Sequence, residues 1–405
     1  MSFTIVVPAS LIAAALLLIG AGGKQEAAGT LPAGYWQNPS ASEGRAAPDH
    51  WSSLEADLHP EACAQCHRSQ FDAWRGSRHA HAFSPGMIGQ FPSLGVKKAN
   101  GCLVCHAPLQ EQRYADMQGV RSSLALMLGH QDGFNADADM DQATLPLRHA
   151  GVTCAACHVR GWQRFGPPLR SGSDPQSGAA HQGFTAINAF ESSSFCASCH
   201  QFPASMAING KPIENTLNEW KNSDFGRRSI TCQQCHMPDR RHEFRGIHDA
   251  GMVRSGLDIS LARSGNTAVL RMRSKWIGHA FPTYVTPKVV IRAEAVDRAG
   301  AVIRSWQWEI WRKVAFDHGW KELSDTRLMP GEERAFIASP LSRNTVAVRY
   351  RVLVIPDAYY KGLYQQLAQS SRHHDGSKHI RLAAEQADQN DYTLFEGQLQ
   401  VSPRQ

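Results

Sequence analysis

One five-residue pattern, Cys-x-x-Cys-His, occurs five times in this chain. The copies begin at Cys63, Cys102, Cys154, Cys196 and Cys232. Their second cysteines are Cys66, Cys105, Cys157, Cys199 and Cys235, and their histidines are His67, His106, His158, His200 and His236. All ten cysteines of the chain are used. Two thiols three positions apart can reach the two vinyl groups of one porphyrin and form thioethers. The histidine that follows is then held beneath the iron as the proximal ligand. A zinc site would need paired Cys-x-x-Cys units converging on one ion, with no reason for a histidine after each second cysteine. A thioredoxin-like centre needs one such motif, and a disulfide scaffold is a feature of short chains. The pattern predicts five covalently attached c-type haems.

A second imidazole on each iron would complete bis-His, low-spin, low-potential centres suited to electron transfer. Candidates for the distal place are His79, His149, His181, His242, His248 and His279. His79 lies thirteen residues after Cys66 and follows Trp74, whose ring could pack on a porphyrin. His149 stands five residues before Cys154, and His181 lies between the third and fourth motifs. His242 and His248 follow the fifth motif, and His279 sits in Gly278-His279-Ala280-Phe281-Pro282-Thr283. His81 rivals His79, while His59 and His130 are weaker candidates. His318, His373, His374 and His379 read as surface residues. Lys97, Lys98, Arg227, Arg228, Arg240 and Arg241 could pair with propionates.

Positioning these residues falls to a segment with few long apolar runs. Five cofactors over residues 63–236 leave about 35 residues for each. So little chain cannot bury an ordinary core as well, so the porphyrins must supply much of the buried apolar surface. Residues 59–262 therefore read as a mainly α, partly irregular multihaem cytochrome domain of short helices around closely packed haems. From residue 263 to 405 the pattern changes to period-2 alternation. Val346, Val348, Tyr350, Val352 and Val354 mark one strand, and Val289–Asp297 with Val302–Ile310 mark a hairpin. Arg334–Ala338 and Tyr392–Val401 add two more. Tyr359–Gln369 and Lys378–Ala387 read as helical insertions. Together these suggest an antiparallel β-sandwich of roughly seven strands.

Residues 3–23 carry no charge and are long enough to span a bilayer or to serve as a secretion signal. Either role places the rest of the chain outside the cytoplasm, in the periplasm or on the extracytoplasmic face of a membrane. Residues 24–58, rich in Pro, Gly and Ser, read as a linker. The formal charge is +6, but the basic residues are scattered, which argues against a nucleic-acid partner. Five ferric haems with ionised propionates would bring the sum near neutral. Partners are expected to be redox proteins. Donor, acceptor and homo- or hetero-oligomeric assembly stay open.

Several segments resemble multihaem c-type cytochromes of the hydroxylamine-oxidoreductase-like superfamily. They are Trp74-x-x-Ser77-x-His79, Phe195-Cys196-Ala197-Ser198-Cys199-His200-Gln201, Glu219-Trp220-x-x-Ser223 and Thr231-Cys232-Gln233-Gln234-Cys235-His236-Met237-Pro238. Residues 217–223 also echo residues 71–77, which suggests a repeated unit. The run at 278–283 looks like the start of the β-domain that follows the haems in such proteins, with Tyr284 where a glycine commonly stands. The resemblance covers residues 59 to about 300 and implies stacked haem pairs with mostly bis-His iron.

That superfamily holds both carriers and enzymes. The favoured reading is an exported electron carrier. One alternative is an oxidoreductase acting on a small nitrogen or sulfur compound at an open-site haem. Against it, no Cys-x-x-Cys-Lys motif occurs, and only Tyr35 and Tyr114 precede residue 280. A second alternative is a structural subunit of a cytochrome assembly or filament.

Overall fold

A computed structural model describes residues 31–37, 39–129, 145–170, 183–316, 318–370 and 375–401. The candidate signal or anchor at 3–23 lies outside the described residues, as do His130, His181, His373 and His374. Among the described residues no helix is long and apolar enough to cross a membrane.

Short helices dominate as far as residue 256. The main ones are α1 (Arg68–Arg75), α2 (Phe91–His106), α3 (Met117–Gly129), α4 (Ser193–His200) and α5 (Thr216–Lys221). Their apolar residues divide into several small clusters. The largest joins Phe83, Ile88, Phe91, Leu103, Tyr114 and Leu124 across α2 and α3. No single core spans the region among the described residues, as a chain with so little length per cofactor requires.

The C-terminal region is built of antiparallel sheets. Strands β1 (Leu257–Ser264), β2 (Thr267–Ser274), β3 (Lys288–Val296), β4 (Val302–Ile310), β5 (Arg312–Phe316), β6 (Trp320–Asp325), β7 (Glu333–Ala338), β8 (Ala347–Ile355) and β9 (Tyr392–Gln400) follow in order. One sheet has the order β7-β2-β1 and another β9-β8-β3-β4, while β5 and β6 form a separate hairpin. In β8 the inward residues Val348, Tyr350, Val352 and Val354 are buried, while Arg349 and Arg351 are exposed. Period-2 alternation of this kind puts one set of side chains on one face. Val352 pairs with Ile291 on β3 and with Phe395 on β9. The inner faces of both sheets share one apolar core, including Leu270, Met272, Ile291, Phe336 and Val352. Tyr350 crosses that core and donates its hydroxyl to Ala268 O of the opposite sheet at 2.8 Å. The first strand starts at Leu257, six residues before the change of pattern visible in the sequence, because Leu257 and Val253 already join this core.

Helices α6 (Ala358–Ser370) and α7 (Ser377–Gln389) are inserted between β8 and β9. They dock on the helical region instead of on the sheets. Gly376 approaches Gly89 so closely that a β-carbon would lie 1.9 Å from Gly89 O. His379 is fully buried there, with Nε2 3.0 Å from Leu124 O, and is not the surface residue its surroundings in sequence suggested.

The described part of the segment expected to be a linker, residues 31–57, is packed as well. Its aromatic side chains explain this. Tyr35 is buried, donates its hydroxyl to Cys157 O at 2.5 Å and lies under the Arg160 guanidinium. Trp51 meets Trp162 edge-on and stacks beneath Arg164. Glu111 clamps the segment by accepting from Ser40 Oγ at 2.8 Å and from Ser42 N and Oγ at 2.8 and 2.7 Å. Burial raises the Glu111 pKa, but the bonds from Ser42 and Ser40 outweigh it and hold the carboxyl below its ordinary 4.5. The folded pKa is depressed, so the stabilisation is present above 4.5 and is lost as pH falls through the folded value. Glu111→Gln is expected to lower the denaturant-derived stability by about 1 kcal/mol at pH 7. The gap from the parent protein should close in acid, and a gap unchanged at pH 3 would refute the ionic role.

Candidate haem sites

Four of the motifs sit on a short helix or at the end of a longer one, where residues three apart share a face, while the first begins on the helix Pro60–Ala64 and runs through a turn to His67 at the start of α1. The second and fourth motifs end α2 and α4. The third and fifth form helices of their own, Cys154–His158 and Cys232–His236. Thr153 caps the first of these, its hydroxyl accepting from Ala156 N, and Thr231 caps the second with Gln234. At the far end of the third-motif helix, Arg160 donates to Ala155 O and Ala156 O, where a cation suits the orphan carbonyls.

Two tryptophans anchor these helices from outside. Trp74 Nε1 donates to Val152 O at 2.8 Å, and Trp220 Nε1 donates to Ile230 O at 2.7 Å. Each acceptor lies two residues before the first cysteine of a motif. The echo between residues 71–77 and 217–223 is thus a repeated device in which an indole fixes the entry to a motif.

No disulfide joins any of the ten cysteines, and they cluster. Cys154 lies within hydrogen-bonding reach of Cys63, Cys105 of Cys199 and Cys196 of Cys232. The contacts join the first motif to the third, the second to the fourth and the fourth to the fifth. Cys157 of the third lies within electrostatic reach of Cys196 and Cys199. All five motifs therefore form one continuous cluster.

The histidines supply the test of whether a metal-centred group fits. A metal–imidazole bond of about 2.0 Å, with about 1.1 Å from nitrogen to ring centre, puts two rings on opposite sides of one metal about 6.2–6.4 Å apart. His79 and His200 have ring centres 6.2 Å apart, His158 and His242 6.2 Å, and His236 and His279 6.3 Å. Other ring pairs in this chain lie from 4.3 to 6.4 Å apart, so the distance counts here together with the partners of the ring nitrogens. Three motif histidines thus face a histidine from elsewhere at the spacing of an intervening metal.

Their other ring nitrogens agree. Nδ1 of His106, His158 and His236 meets the carbonyls of Ala82, Phe165 and Arg245 at 2.8, 2.8 and 2.5 Å. Nδ1 of His242 and His279 meets those of Arg240 and Ala280 at 2.9 and 3.0 Å. A carbonyl only accepts, so each Nδ1 carries the proton and each Nε2 keeps its lone pair for a metal. Burial pushes His79 down to about 3, and His158 and His236 to about 4, so these rings are neutral at pH 7. Neutral imidazole is the ligating form. His200 differs. Burial lowers it, but the Glu214 carboxylate, 3.4 Å from Nδ1, outweighs burial and raises it to about 9.

Other candidates are placed otherwise. His248 is a correction: its Nε2 lies 3.1 and 3.2 Å from the Asp357 oxygens, so that nitrogen is committed to a carboxylate. His59 uses both nitrogens, on Asp57 and on Leu145 O. His81 bonds the backbone at Arg75. His149 lies on the turn Leu147–Ala150 with its ring 4.9 Å from Phe83. His67 lies within electrostatic reach of His158 and His242. Arg227, Arg240 and Arg241 pair with Asp224, Glu191 and Glu243. Glu214 and Arg160 belong to no motif and had no signal in the sequence.

Residues 61–249 match the family model described as outer membrane cytochrome MtrC/MtrF-like, domains II/IV. The chain is similar in fold to a penta-haem cytochrome c552 from Thermochromatium tepidum, with a TM-score of 0.55 and 17% identity over 85% of this chain and 99% of that one. MtrC from Shewanella baltica OS185 overlaps at a TM-score of 0.15 and 13% identity, over 67% of this chain and 41% of that one, too loosely to bear on the fold. No curated protein matches. The motif-bearing match and the shared fold support a multihaem c-type cytochrome.

The two indole anchors give a check on this architecture. Trp74→Phe removes a buried donor and part of a ring that is 4% exposed. It should cost about 2–3 kcal/mol in chemical unfolding of the haem-loaded protein. A loss below about 0.5 kcal/mol would show that Trp74 does not hold the third motif.

Proposed function

We propose that this chain is an exported electron carrier that binds five c-type haems, one through each Cys-x-x-Cys-His motif. His67, His106, His158, His200 and His236 are the proximal ligands in this reading. Distal ligands for three of the sites are His242 opposite His158, His79 opposite His200 and His279 opposite His236. The observation that carries it is the spacing of those three imidazole pairs, 6.2 to 6.3 Å. Bound haem would supply one-electron chemistry at each site. The chain's own residues fix the tautomers of His106, His158, His236, His242 and His279, keep His79, His158 and His236 neutral, and bring the five motifs close together. Neighbouring sites that touch through their thiols meet what electron hopping requires. The resemblance to hydroxylamine-oxidoreductase-like cytochromes supports stacked haem pairs with bis-His iron. The outer-membrane family model supports an extracytoplasmic location, and redox proteins are the partners this reading requires.

Intact mass and pyridine haemochrome absorbance of the purified protein should give five haems per chain, and ferric EPR should show low-spin signals. His79→Ala, His242→Ala and His279→Ala should each turn about one iron in five high-spin and cyanide-binding. His248→Gln should leave the spin states unchanged. High-spin iron in His248→Gln but not in the other three would overturn the ligand assignment. A parent protein with a large high-spin fraction that binds nitrite would favour an enzyme.

A further inference from the structure

His279 is the one distal candidate among the three pairs that the helical region does not supply. It lies in the run 278–283 that precedes β3. A buried carboxylate grips that run. Glu219 on α5 accepts from Ala280 N at Oε2, 3.1 Å away, and from Arg327 Nη1 at Oε1, 2.9 Å away. The two side chains are 5% and 2% exposed. Arg327 is fixed in turn by Asp325, through Nε to Oδ1 and Nη2 to Oδ2, both at 2.9 Å. Leu328, next to Arg327, exchanges two backbone bonds of 2.8 Å with Phe281. At the other end of α5, Thr216 bonds the hydroxyl of Thr283 at 2.8 Å. Gly278 rests on Trp220 and Phe225, where a β-carbon would lie 3.1 Å from Phe225.

A buried ion pair is weak evidence for stability, since desolvation can cancel the attraction. Here one carboxylate oxygen is spent on the backbone N–H adjoining a candidate ligand. The internal repeat sharpens the point. Aligning Trp74 with Trp220 puts Ala73 at the place of Glu219 and His79 at the place of Phe225. The first unit carries its own distal histidine and a small residue before its tryptophan. The second lacks that histidine, carries Glu219 instead, and faces a histidine brought from a remote segment.

We propose that Glu219, set by Arg327, is a positioning residue that holds His279 in register opposite His236. The proposal rests on the assignment of His279 as a distal ligand. Without Glu219 the 278–283 run keeps its backbone pairing to Leu328 but loses the bond next to the imidazole, and His279 no longer stays on its metal.

The test uses the full-length haem-loaded protein, with haem content checked by intact mass. Glu219→Ala should reproduce the His279→Ala spectrum: about one iron in five becomes high-spin, with a new cyanide-binding site. Glu219→Gln keeps the volume but meets two donors with only one acceptor oxygen, and should give a smaller high-spin fraction of the same kind. If His279→Ala loses a low-spin centre while both Glu219 variants keep the parent spectrum, the positioning role is overturned and the ligand assignment stands. If His279→Ala itself keeps every low-spin centre, the ligand assignment fails and the positioning role with it. Should Glu219→Ala not accumulate, Glu219→Gln alone decides by the same comparison.

Discussion

The arrangement depends on holding two imidazoles with ring centres about 6.3 Å apart when the two come from distant parts of the chain. His79 meets His200, His158 meets His242 and His236 meets His279. None of these pairs belongs to one helix. Each crosses from one short element to another, so each would act as a cross-link once a metal lies between. The small apolar clusters of the helical region cannot specify such spacings alone. The carbonyls at Nδ1 and the indole and threonine anchors at the motifs supply the remaining precision. Folding and cofactor attachment are coupled for the same reason that structural metal sites are: the ligands are far apart until the bound group joins them.

The β region takes part in this constraint. It supplies His279, and it is fastened to the helical region at several places. Arg312 of β5 is fully buried and donates to the carbonyls of Pro212, Ile208 and Lys211 while pairing with Glu322. Asp357, which follows β8, takes His248 and Asn390. Helices α6 and α7 close against α3 through His379. A sheet domain merely tethered to a haem domain would not need such a buried polar seam. Unsatisfied, these groups would cost more than the seam contributes, so they fix one mutual orientation.

Local chemistry made much of this legible from the sequence. Motif spacing picked out the ten cysteines that cluster and the five motif histidines. Alternation in residues 346–354 and the short link at 298–300 located β3, β4 and β8, because a half-buried strand must alternate. Strands β1, β2, β5 and β6 were not foreseen: the polar run of β6 blurs the period, while Leu270-Arg271-Met272-Arg273 on β2 does alternate and was a readable signal. The choice among distal histidines was beyond the sequence. His242 and His248 are six residues apart with similar neighbours, yet one faces His158 and the other is bound by Asp357, a residue more than a hundred positions away. The packed segment at 31–57 was misread because its prolines and glycines outweighed Tyr35, Trp36 and Trp51. The departure at Tyr284 from glycine is accommodated directly: Tyr284 adopts a φ of 43°, the left-handed conformation glycine would take.

The second partner of each ring also makes the sites unequal. Five of the histidines above present Nδ1 to a backbone carbonyl, but His200 presents it to the Glu214 carboxylate. A carboxylate partner makes an imidazole a more basic ligand than a carbonyl does. A more basic ligand favours the oxidised metal. Glu214 also lies within electrostatic reach of His106 and Cys105 at the second motif. One negative charge between two adjacent sites therefore biases both in the same direction, and more strongly at the fourth, which it bonds. The fourth motif touches the second and the fifth through its thiols and lies near the third. A haem held at the fourth motif would thus be the one Glu214 affects most directly, and the fourth motif is also the one near which the second, third and fifth lie.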